Sequence, residues 1–153
     1  MKDLGTLGGT FSRAAAVNVR GDVVGVSTTS SGFLHAFLWT PDGSHGIPSN
    51  PQMKDLGTLG GDSSEANAIS RQGEVGGSSA IAGNVVSHSF LWEDGIFTDL
   101  GTPVVSNGGF SQVHAINKKG QIVGASQVTP GCCVNLQAYL PRSSASSSER
   151  VSP

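Results

Sequence analysis

The chain has 153 residues, a mass of 15.5 kDa and a formal charge of −2, which makes it one domain by length. Its nine Lys and Arg are scattered without a basic cluster, so a phosphate backbone finds little attraction and nucleic-acid binding is excluded as a working reading. No apolar run approaches the roughly 18 residues that a spanning helix needs, and no charged-then-apolar leader follows Met1.

Leu, Ile, Val and Phe number 10, 6, 15 and 6, about a quarter of the chain and above the roughly 20% below which disorder is the default. A core can be built. Charged residues supply only 13%, against about 25% in an average soluble domain, and Gly, Ser and Thr carry the surface.

In chain order, the first element is the motif Asp3-Leu4-Gly5-Thr6-Leu7-Gly8-Gly9. It returns as Asp55-Leu56-Gly57-Thr58-Leu59-Gly60-Gly61 and begins again at Asp99-Leu100-Gly101-Thr102. Each copy leads into an apolar run with a polar turn: Ala14 to Gly21, Ala66 to Gly73, Val113 to Gly120. A second apolar run follows at once, Asp22 to Ser27, Glu74 to Ser79 and Gln121 to Ser126. Two short runs around a turn ending in Gly predict a hairpin. Asn18, Ser70 and Asn117 open that turn through their side chains, and Gly accepts the positive φ that closes it.

The last element of each unit is His35-Ala36-Phe37-Leu38-Trp39, then His88-Ser89-Phe90-Leu91-Trp92, then a diverged Gln137-Ala138-Tyr139-Leu140-Pro141. Aromatic and apolar residues in a five-residue run suit a pleated strand. No segment repeats apolar residues at helical spacing, so no long helix is expected. Each unit then holds four short antiparallel strands at a period of about 45 to 50 residues, the pattern of a β-propeller blade. The columns Ala16, Ala68, Ala115 and Gly25, Gly77, Gly124 are expected where neighbouring sheets come too close for larger side chains.

These repeated segments together, with His35-Ala36-Phe37 as the signature, resemble the HAF repeat family of bacterial proteins. The resemblance covers about residues 2 to 141. It implies a secreted or surface-anchored parent protein and a propeller-like array, and it brings no catalytic residues with it.

The fold expected is all-β: three four-stranded blades over 1–141, with repeats at about 3–54, 55–98 and 99–141, and a disordered Ser-rich tail over 142–153. Three blades are too few to close a ring, since propellers typically use about 4 to 8. Pairing of two chains into a six-bladed ring, or membership of a longer array, are the two ways to complete it. A three-sheet prism or β-solenoid is a third architecture. The N-terminal Asp3-Leu4-Gly5 is the candidate closing strand. A start at Met1-Lys2-Asp3 without a leader suggests a fragment or an upstream truncation of a secreted protein.

The sequence assigns no catalytic, cofactor-binding or metal-ligating residue. His35 and His88 recur with the fold, and the third copy replaces them by Gln137, which can hydrogen-bond but cannot act as a general base. Asp3, Asp55 and Asp99 each stand alone before Leu-Gly, unlike the dense oxygen ligands of a calcium loop, and suit a turn or strand end. Cys132 and Cys133 are adjacent, with Cα atoms about 3.8 Å apart, below the usual disulfide range. Free thiols, intermolecular bridges and a strained redox pair stay open for them.

Binding is expected in what is not repeated: Thr40 to Met53 with His45, Val104 to Phe110, and Gln127 to Asn135. The reading is a non-enzymatic module acting in binding or assembly, its partners a second copy and a protein or glycan met on loop faces. The alternatives are a hydrolase or lyase whose channel site forms only in the dimer or parent, and a nonfunctional fragment of an array.

Overall fold

The computed structural model describes residues 1–43, 46–101 and 109–127, and the backbone of 136–139. The described residues form strands and turns without a helix, as the missing helical periodicity predicts. The first sheet is β1 (Gly8–Val17), β2 (Val23–Thr29), β3 (Leu34–Trp39) and β4 (Met53–Gly57), in that order. The second repeats it with β5 (Gly60–Ile69), β6 (Val75–Ile81), β7 (Ser87–Glu93) and β8 (Ile96–Gly101). The third holds β9 (Ser111–Ile116), β10 (Ile122–Gln127) and β11 (Leu136–Tyr139), with β10 in the middle. Every neighbouring pair is antiparallel, and no sheet closes on itself. Where four strands are expected in the third unit, three are present among the described residues.

The predicted hairpin turns form as their chemistry requires. Asn18 Oδ1 accepts from the N–H groups of Arg20 (2.9 Å) and Asp22 (3.1 Å), and Asn117 Oδ1 does the same for Lys119 and Gln121. Ser70 Oγ accepts from Gln72 and Glu74. Gly21, Gly73 and Gly120 then take φ of 82°, 103° and 72°, which a residue with a Cβ adopts only under strain.

The strand that opens each sheet carries a one-residue bulge. Ala14 pairs with Gly25 and Ala16 with Val24, leaving Ala15 over; Asn67 and His114 are the corresponding extra residues. A bulge inverts the alternation of side chains beyond it. Ala66 thus joins the core shared with the first sheet, while Ala68 joins the core shared with the third.

The bulge also corrects the reason for the glycine column. A Cβ at Gly25, Gly77 or Gly124 would overlap the carbonyl oxygen of Arg13, Glu65 or Gln112 on the partner strand. The crowding comes from within the sheet. The alanine column is likewise uneven: Ala68 is buried, Ala16 half-buried and Ala115 exposed.

The Asp-Leu-Gly motifs fall differently from the expected unit boundaries. Asp55-Leu56-Gly57 lies at the end of the first sheet, in β4, and Asp99-Leu100-Gly101 ends the second, in β8. Asp3-Leu4-Gly5 forms no strand. It lies on the first sheet, with Lys2 Nζ 4.5 Å from the Trp39 ring centre and Asn50 Nδ2 donating to the Leu4 carbonyl at 2.7 Å. Lys54 of β4 stands over Trp92 of the second sheet in the same way, at 5.0 Å. The N-terminal segment therefore occupies, against the first sheet, the place that β4 occupies against the second.

Burial follows the stack. Val24, Ala36 and Leu56 from the first sheet meet Ala66, Val75, Phe90 and Trp92 from the second. Ala68 and Leu91 meet Val113 and Ile122 at the next boundary. On the outer face of the first sheet, Phe37, Trp39 and Met53 are covered by Leu4 and Leu7. Each fully buried Phe contributes about 1.5–3 kcal/mol, so these layers hold the array together.

Candidate functional site

The repeated polar residues converge on the joints between strands and between sheets. Pairing slips between β3 and β4, where Ala36 opposes Gly57 but Phe37 opposes Asp55. The Ser64 hydroxyl from the second sheet enters that slip. Its Oγ accepts from the Ala36 N–H at 2.9 Å and donates to the Gly57 carbonyl at 2.5 Å. At the next boundary Ser111 Oγ accepts from Ser89 N–H at 2.7 Å and donates to Gly101 at 2.6 Å. A buried N–H and a half-buried carbonyl that the slip frees are satisfied by one hydroxyl from the neighbouring sheet.

The aspartates of the Asp-Leu-Gly motifs have the same kind of role. Asp55 Oδ1 accepts from Gly57 N–H at 2.8 Å, and its carboxylate lies 2.9 Å from Nδ1 of His35 on β3. Asp99, Gly101 and His88 repeat the arrangement at 2.6 and 2.9 Å. The His side chains thus pin the outer strand of the first and second sheets to its neighbour. Asp3 Oδ1 accepts from Gly5 N–H at 2.9 Å, so the turn is formed at the N-terminus as well. In backbone register Gln137 stands opposite Ser126, as His35 stands opposite Ser27 and His88 opposite Ser79.

Inside the first sheet, Ser27 Oγ accepts from Leu7 N–H and donates to the Phe11 carbonyl, and inside the second Ser79 does the same for Leu59 and Ser63. Motif spacing alone singles out neither these serines nor Ser64 and Ser111. A signal exists in the repeat alignment: Ser12, Ser64 and Ser111 hold one position in three copies, as do Ser27, Ser79 and Ser126.

Clefts among the described residues include one beside the Ser111 joint and one beside Trp92. One, of about 250 Å³, is lined by Ser78, Ser87, Phe110, Ser111, Gln112, His114 and Ala125. The other, of about 180 Å³, lies beside Leu38, Pro51, Gln52, Lys54 and Trp92. Neither brings a carboxylate to an imidazole. Among the described residues no three His, Cys, Asp or Glu side chains gather at one place, and no helix is long and apolar enough to cross a membrane. His45, Cys132, Cys133 and the Ser-rich tail lie outside the described residues, as do most of the two later irregular segments.

Compared with protein-family models, curated proteins and solved structures, the chain matches none.

Proposed function

We propose that the chain is a non-enzymatic β-repeat module of a secreted or cell-surface protein, its sheets stacked in propeller fashion and its loop faces open to a protein or glycan. The observation that carries this reading is the use made of the repeated polar groups. His35, His88, Asp55, Asp99, Ser64 and Ser111 each bridge strands or sheets, so these repeated groups are committed to structural hydrogen bonds, and the cleft that Ser111 lines brings no carboxylate to it. The propeller-like arrangement is supported by a recurring contact: β5 packs across β1, β2 and β3 of the preceding sheet, and β9 across β5, β6 and β7. The resemblance to the HAF repeats and the low charged content support the extracellular setting.

The cleft beside Phe110 and His114 is the surface offered to a ligand. Phe110 is 53% exposed, with Ser78, Ser87 and Gln112 around it, and an aromatic face ringed by hydroxyl and amide groups suits a sugar ring. A glycan array probed with the full chain tests this. Binding that Phe110→Ala removes without loss of fold is expected. Turnover of ester, glycoside or uronide substrates by the purified chain would overturn the non-enzymatic reading.

A further inference from the structure

The two outer faces of the stack are unlike each other and complementary. On the first sheet, Ser12, Ala14 and Val17 hold the positions at which Ser64, Ala66 and Ile69 meet the first sheet and Ser111, Val113 and Ile116 meet the second. Ala66 and Val113 are fully buried; Ala14 is exposed, and Val17 is 65% exposed. The Ser12 hydroxyl has no hydrogen-bond partner among the described residues, although the hydroxyls of its two counterparts each hold an N–H and a carbonyl. This face is equipped to pack on a sheet of the same repeat.

The opposite face offers what it needs. Val123 on β10 stands where Val24 stands on β2, yet Val24 is fully buried against the Ala66 layer and Val123 is 44% exposed. The residue facing the neighbour's first strand alternates in size: Val24 with Ala66, then Gly76 with Val113. Val123 with Ala14 would restore the first combination. Further out, no strand among the described residues pairs with the free edge of β11. The N-terminal motif Asp3-Leu4-Gly5 has the turn of a fourth strand and no sheet of its own.

We infer that a second copy of this chain docks head-to-tail, laying its β1 on the third sheet and adding Met1–Gly5 to the edge of β11. The register follows from the two complete sheets, where Ala36 opposes Gly57 and Phe37 opposes Asp55. Ala138 then opposes Gly5 of the second copy and Tyr139 opposes Asp3. Ser12 accepts from the Ala138 N–H and donates to its own Gly5 carbonyl, and Gln137 holds the register position at which His35 and His88 meet their Asp. Strand addition at an open edge supplies the backbone bonds, and the Val123 layer supplies the apolar contact. A head-to-tail contact made twice closes two copies into a ring.

The inference rests on the stacking reading above, but its test is separate. Size exclusion with light scattering across a dilution series should give twice the 15.5 kDa chain mass for the wild type. Ser12→Arg spoils the β1 face and Ala138→Pro removes the edge N–H, a change that edge strands tolerate. Each variant alone should run at one chain mass with unchanged far-ultraviolet circular dichroism. Their equimolar mixture should recover a pair, because the intact β1 face of one meets the intact β11 edge of the other. If Ser12→Arg does not fold, Ala14→Arg on the same exposed face replaces it.

A monomeric wild type overturns the inference, as do dimeric single variants or a mixture that stays monomeric. A dimer that binds no glycan leaves it standing and removes only the ligand reading. A glycan-binding monomer does the reverse.

Discussion

Val113 of the third sheet stands so close to the Cα of Gly76 in the second that a Cβ built on the glycine would lie 2.6 Å from Val113 Cγ1. One sheet position away, at the first boundary, the sizes are exchanged, and Val24 shares a core with Ala66. The two boundaries are therefore alternative solutions of the same packing problem. Gly76→Val should overfill the second and cost about 1–3 kcal/mol in urea unfolding. Adding Val113→Ala should recover most of that loss, although Ile116 Cδ1, 3.0 Å from the same Cβ position, keeps the recovery incomplete. Equal instability of the single and double variants would show that the layers are not interchangeable.

Ser64 and Ser111 close slips in the preceding sheets, and each holds one N–H and one carbonyl. Ser64→Ala leaves the buried Ala36 N–H and the half-buried Gly57 carbonyl without this partner, so a loss of about 1–3 kcal/mol is expected. Amide exchange at Ala36 should rise with it. Ser12→Ala, made in the Ala138→Pro background, expected to be monomeric from the docking inferred above, should change stability by no more than about 0.5 kcal/mol, since Ser12 is exposed in the single chain. The contrast between equivalent serines separates a joint from a residue type.

Gly25 and Gly77 face the bulge carbonyls of Arg13 and Glu65 within their own sheets. A methyl group at either position must push β1 from β2, or β5 from β6, across a backbone with no room to move. Gly25→Ala should cost about 2–4 kcal/mol, at the upper end for a point substitution. A loss below about 0.5 kcal/mol by thermal unfolding would show that the bulge relaxes freely.

Much of this was readable in the chain. The turn side chains Asn18, Ser70 and Asn117 act as their type dictates, because an Asx or Ser turn depends only on neighbours a few residues away. The phase of the Asp-Leu-Gly motifs was readable only in part: the closing role expected for Asp3-Leu4-Gly5 put the motif last in a sheet, while the unit boundaries put it first, since a tandem repeat looks the same wherever the cut is made. Only pairing shows that Asp55-Leu56-Gly57 ends one sheet while Gly60 begins the next. The His35–Asp55 contact joins residues 20 apart on adjacent strands, so its signal was split between two segments of the repeat. The serine joints were hidden for another reason: in a chain whose surface is largely Ser, Thr and Gly, position alone distinguishes Ser64 from its neighbour Ser63.

The His35–Asp55 pair yields a graded series. Asp55 serves two partners, the Gly57 N–H of its own turn and His35 on β3, whereas His35 serves only Asp55 in this joint. Both side chains are partly exposed, at 21% and 31%, so the pair itself contributes about 0–1 kcal/mol. His35→Gln should fall within that range, because an amide can still donate to the carboxylate. Asp55→Ala should cost more, about 1–2 kcal/mol, by releasing the turn together with the strand. Guanidinium unfolding of the two variants gives the order, and a His35→Gln loss exceeding that of Asp55→Ala would place the weight of the joint on the imidazole instead.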